Sequence, residues 1–183
     1  MNFLMKYIFI SVLLCNIMFS NVLKIDVNNN LLNLEYSKFI YFNDKNQYIT
    51  TFKYSKYEKI KEKIEKYKIG LKLSDLKRED YKLGFGISTM FMDYKGDNNF
   101  LTIFEEYLDF NFNDYIEINN KILVTPKILS TSNIKGYYKY NLQIITNILD
   151  NGDVYLNIDM DKLLYKEEER RKQEVTIGFR IFF

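Results

Sequence analysis

Histidine is absent from all 183 residues, tryptophan is absent as well, and there is a single cysteine. Without histidine the chain lacks the commonest general base, the commonest transition-metal ligand and the side chain that titrates near neutral pH. One cysteine, Cys15, cannot form an intrachain disulfide or a thiolate metal cluster. A net charge of +2 is too small to argue for nucleic acid as a partner. Long apolar runs are also lacking: Tyr7 to Phe19 is short for a bilayer span and is interrupted by Asn16. No nucleophile–base arrangement or glycine-rich phosphate loop is present, so the sequence predicts no catalysis, no cofactor and no metal site.

Aromatic residues, by contrast, reach 17%, carried by 16 Tyr and 15 Phe. Tyrosine in such numbers suits strands, and it suits a water–lipid boundary where a ring needs one wet end. With 47% hydrophobic and 27% charged residues, the chain is neither disordered nor a bundle of membrane helices. Its length fits one domain.

Residues 1–20 read as a secretory signal peptide. Lys6 supplies the positive start, Tyr7 to Leu14 the apolar stretch, and Asn16 to Ser20 the cleavage region. Ser20 is a suitable small residue before the cut, but Met18 two places earlier is not small. Cys15 would be the lipid-bearing residue of a lipoprotein, but Leu14 before it is not the small residue such sites carry. Residues 21–183 form the expected domain.

From Asn21 onward, ten stretches alternate apolar and polar residues with period two. The clearest run through Ile116–Ile128, Tyr138–Ile148, Val154–Met160 and the closing segment. In Tyr81 to Phe91 the apolar residues oppose Lys82, Gly84, Gly86, Ser88 and Met90, glycines being expected where a strand meets a crowded interior. The stretch near Phe100 to Phe112 is less clean, because Glu106 interrupts Phe104, Leu108 and Phe110. Turn-forming connectors at residues 43–46, 74–80, 111–114 and 150–153 alternate with longer or more charged ones at 56–66, 95–99, 130–136 and 166–173. Tyr57, Ile60, Ile64 and Tyr67 also fit a helical spacing; strand ends and a loop are the preferred reading.

The closing segment carries a more specific signal. Val175, Ile177, Phe179, Ile181 and Phe183 occupy alternate positions, so they share one face of a strand. This ending resembles the C-terminal strand of bacterial outer-membrane β-barrel proteins, which typically finish on Phe with hydrophobic residues at every second position. Ile181 departs from the pattern, which often has Tyr there. The resemblance implies that these five residues are the signal read by the outer-membrane assembly machinery. It also implies a setting of outer-membrane lipid and lipopolysaccharide. The barrel enzymes of that membrane rely on a catalytic histidine, so the likeness does not extend to them.

The expected fold is therefore all-β: a closed antiparallel up-and-down transmembrane β-barrel of about ten strands. Eight would suffice if Val22–Val27 and one weaker segment do not pair. Strands of this length with one apolar and one polar face match tilted membrane-spanning strands. The expected role is structural, surface-binding or that of a narrow pore, in a monomer. The alternative is a periplasmic or lipid-anchored β-sandwich or open barrel that binds a ligand or partner. Lys82, Glu117, Lys139, Asp159, Asp161 and Arg180 are expected to form a charge network in the lumen. A loop centred between Glu169 and Arg170 would set Arg180 about opposite Asp159. Glu167 to Lys172 reads as a solvated loop tip, and Lys95-Gly96-Asp97 as an ordinary turn.

Overall fold

A computed structural model describes residues 21–43, 46–59, 62–75, 81–131, 133–149 and 151–183. The expected signal peptide and Cys15 lie outside the described residues, as do parts of several connectors. Ten strands follow one another: β1 Asn21–Val27, β2 Leu31–Asn43, β3 Asn46–Lys59, β4 Glu62–Asp75 and β5 Tyr81–Tyr94, then β6 Asp97–Asn113, β7 Ile116–Pro126, β8 Ile134–Leu149, β9 Gly152–Tyr165 and β10 Glu168–Phe182. A single 3-10 turn, Lys127–Leu129, lies between β7 and β8.

Each strand pairs antiparallel with its sequence neighbours, and β1 pairs with β10, so the sheet closes into an up-and-down barrel. The seam runs from Val22 opposite Phe182 to Val27 opposite Ile177. It is finished by reciprocal backbone bonds between Asn21 and Phe183, at 2.8 and 3.2 Å. Ten strands is the full expected number, with the short β1 supplying the closure. A closed barrel leaves no unpaired sheet edge, which is the condition for strands to cross lipid.

Period-two alternation decides what each face meets. Ile69, Leu71 and Leu73 on β4, Phe85 and Ile87 on β5, and Val175, Ile177 and Phe179 on β10 all point outward and are exposed. The inward face instead buries Thr51, Lys68, Ser88, Glu105, Asn157 and Asp159. This is an apolar girdle around a polar lumen, the reverse of a soluble β-sandwich. Glu106 sits in the girdle, exposed between Phe104 and Leu108, with Phe85 and Ile122 as its register partners.

Two expectations about connectors need correction. Residues 95–99 and 166–173 are hairpin ends rather than loops: β6 begins at Asp97 and β10 at Glu168. Tight turns make this possible, with Lys95 (φ 55°), Gly96 (φ 80°) and Lys166 (φ 53°) in the left-handed region. The β9–β10 turn thus falls at Lys166–Glu167, not between Glu169 and Arg170. The register moves accordingly, and Arg180 stands opposite Asp153 while Asp159 stands opposite Glu174. Of the charged segment, residues 56–59 belong to β3 and 62–66 to β4, with Lys56 opposite Glu65 and Glu58 opposite Lys63.

Candidate functional site

The lumen is built in three levels, set by which residues the inward parity selects on each strand. At the end far from the termini, the inward residues are apolar. Met90, Met92 and Tyr94 of β5 meet Leu101 and Ile103 of β6 and Tyr165 of β9 in one buried cluster. Tyr94 and Tyr165 meet edge to face at 5.0 Å. Arg170 of β10 packs its guanidinium over Tyr57 and Tyr94, 5.6 and 5.9 Å from the ring centres. Lys172 lies 3.4 Å above Tyr57 and 2.5 Å from Glu174.

Below this cluster the lumen is charged. Glu105 on β6 receives Lys68 of β4 at 2.6 Å and Lys121 of β7 at 2.8 Å, and Ser88 of β5 donates its hydroxyl at 2.6 Å. Lysines from β4 reach β6 across β5 because β5 presents Gly86 and Ser88 there. A Cβ on Gly86 would approach Lys72 Cγ to 2.9 Å. On the opposite wall, Lys139 binds Asp159 at 2.8 Å and Asp161 at 3.5 Å, and Lys66 reaches Asp161 at 3.1 Å. Asn141 donates to Asp159 at 2.7 Å.

Nearer the termini, Arg180 binds Glu117 at 2.9 Å and Asp153 at 2.5 Å. The guanidinium fork suits two carboxylates, and both are taken out of water by it. One cavity of about 410 Å³ runs along these groups.

All six residues expected in the lumen network line this cavity. They do not form one network. Lys139, Asp159 and Asp161 belong to one cluster, Arg180 and Glu117 to another, and Lys82 stands opposite Asp109 in the β5–β6 register. The expected Arg180–Asp159 pair is replaced by Arg180–Asp153, because the β9–β10 turn is tighter than the charged sequence suggested. Val175, Ile177, Phe179, Ile181 and Phe183 all present exposed side chains. Glu105 escaped the sequence reading because Leu101 and Ile103 share its inward face and blur the alternation. Its signal was parity with Asp109.

No protein-family model and no curated protein matches the sequence. Among solved structures, the fold is similar to the KdgM porin in complex with disordered oligogalacturonate, with TM-score 0.54 and 11% identity over 90% of this chain and 99% of that one. The NanC porin gives TM-score 0.51 and 9% identity over the same shares. The outer membrane channel DcaP of Acinetobacter baumannii gives TM-score 0.52 and 8% identity, covering 84% of this chain and 51% of that one. The likeness is one of fold: the chain has the closed β-barrel fold of outer-membrane proteins, and its apolar girdle suits a lipid surrounding.

Proposed function

We propose that the protein is a small monomeric barrel whose lumen gives small solutes a narrow passage, with a mild preference for anions and no catalytic role. The observation that carries this reading is the extent of the luminal cavity. Its wall includes Val22 and Phe182 near the termini, and Tyr57 and Arg170 at the far end. Basic residues outnumber acidic ones along that lumen, eleven to nine once the buried Asp26, Glu105 and Asp153 are added to the six acids of the wall. A lumen lined this way favours anions by its summed field. The side chains crowding a ten-stranded barrel leave no room for a general porin channel.

The far end faces outward in this reading, so Glu167 to Lys172 meet lipopolysaccharide. The assembly machinery reads the strand that ends at Phe183. Planar-bilayer recording of the refolded protein tests the passage. Small conductance steps with a reversal potential favouring anions are expected. A protein that inserts without conducting overturns the pore. It would favour a filled, structural barrel, for which the apolar cluster of Met90, Met92, Leu101 and Ile103 is the specific support.

A further inference from the structure

Lysines crowd the middle of the lumen more densely than its carboxylates can balance. Glu105 has a fully buried side chain; Lys68 approaches one of its oxygens, while Lys121 and Lys72 converge on the other, at 2.8 and 3.9 Å. Beside it, Lys53 lies 3.5 Å from Glu35. Lys24, the register partner of Glu35, reaches over to Gln143 at 3.5 Å. Glu35 and Glu105 thus take the ion pairs of Lys53, Lys68, Lys72 and Lys121, and Lys24 stands beside Glu35.

The other acidic side chains on the cavity wall are engaged elsewhere. Glu117 is bound by Arg180, Asp159 and Asp161 by Lys139 and Lys66, and Glu174 by Lys172. Asp109 is the exception: opposite Lys82 in register, it also lies within electrostatic reach of Lys24 and Lys72. Positive charge is left in excess within a walled space, where repulsion is screened far less than at a surface.

All five lysines line the same cavity. They come from four strands, β1, β3, β4 and β7, so they approach its centre from several directions. Gly86 and Ser88 keep β5 low enough for the β4 lysines to lie across it. Ammonium groups are compact point charges with three donors each, suited to an anion that offers oxygens all round rather than a planar carboxylate edge.

We propose that Lys24, Lys53, Lys68, Lys72 and Lys121 form a binding site for a compact tetrahedral oxyanion, a phosphate or sulfate group. The inference rests on the lumen being open to water, as the proposed passage requires. The two can fail separately: phosphate binding without conductance sinks the pore and keeps the site, and conductance without phosphate binding does the reverse.

The test is calorimetric titration of the refolded barrel in detergent with inorganic phosphate, against chloride at matched ionic strength. Saturable binding of one phosphate is expected. Lys72→Met combined with Lys121→Met should weaken it by roughly tenfold or more, while Lys95→Met at the exposed β5–β6 turn leaves it unchanged. No saturable binding overturns the site, as does an equal loss in Lys95→Met. Galacturonate serves as a planar-carboxylate probe, and its binding in preference to phosphate overturns the tetrahedral assignment. Should the double variant not fold, the unaltered chain still decides. Phosphate must raise its unfolding temperature above that in chloride, and no rise counts against the site.

Discussion

Tyr155 on β9 lies across Gly178, its register partner on β10, and its hydroxyl donates to Asp26 on β1. A Cβ at Gly178 would come within 2.4 Å of the end of that ring. The arrangement recurs on β5 and β6, where Tyr107 covers Gly84 and donates to the Leu73 carbonyl at 3.1 Å. Each ring fills the space beside a bare glycine backbone, so the glycines are required for room rather than for an unusual φ.

Gly178→Ala and Gly84→Ala should therefore each lower stability by about 1–3 kcal/mol, the usual cost of overpacking a filled interior. Urea unfolding of the barrel in lipid vesicles measures it. Gly136→Ala is the comparison, since its nearest neighbour, the Tyr138 ring edge, would be 3.2 Å from the added Cβ and can yield by a small rotation. Equal stability of Gly178→Ala and the parent would contradict the packing argument.

Arg180 holds two carboxylates, Asp153 of the neighbouring β9 and Glu117 of β7. Arg180→Met should cost roughly 3–5 kcal/mol, because it strands both acids in a low-dielectric wall. A double-mutant cycle gives the sharper measurement. Arg180 and Asp153 should show a coupling of about 1–3 kcal/mol, whereas Arg180 and Asp159, which share no contact, should be additive within about 0.5 kcal/mol. The opposite ranking would mean that the β9–β10 register is shifted.

That register also marks where the sequence stops being legible. Alternation over Val175 to Phe183 or Tyr81 to Phe91 announces strands, because one face must be apolar and the other is free to vary. Closure was legible too, since an apolar outward belt on every segment leaves no stable place for a sheet edge. The turn at Lys166–Glu167 was not, because charged residues fit a solvated loop and a protruding hairpin equally well. Three-dimensional charge pairing was hidden for another reason: Lys68 and Glu105 are 37 positions apart and meet across β5. Only the closed topology brings β4 and β6 within reach. The apolar cluster at the far end was misleading in detail, since Leu101 and Ile103 point inward in a strand whose lipid face is also apolar.

Neighbouring acids on β6 should respond oppositely to the same change. Glu105 points inward to three lysines, and Glu106 points outward among Phe85, Phe104 and Ile122. Glu105→Leu removes the counter-ion of buried ammonium groups and should cost about 3–5 kcal/mol. Glu106→Leu removes a carboxylate from the lipid face and should stabilise the inserted barrel by about 1–2 kcal/mol, less than for a basic residue at that depth. Unfolding titrations in vesicles read both. Destabilisation by Glu106→Leu would place that side chain against protein rather than lipid.

At the far rim, Asp97 ties three hairpins together. It accepts from the Tyr165 hydroxyl, from Asn133 at 3.1 Å and from Lys166 at 3.2 Å. The Tyr165 hydroxyl and then Lys166 hold its carboxyl below the ordinary range. A depressed pKa means that the folded rim gains from the ionised form, so this contribution is complete above the ordinary carboxylate value. It fades as pH falls below about 4 and through the lowered value of Asp97. The protection factor of the Lys166 amide, whose backbone N–H donates to the Asn133 carbonyl, should therefore fall at acid pH before those of the girdle strands do. Asp97→Asn should show the lowered protection already at neutral pH, and lose its acid dependence. A pH-dependent change that persists unaltered in Asp97→Asn would assign the effect to a different carboxylate.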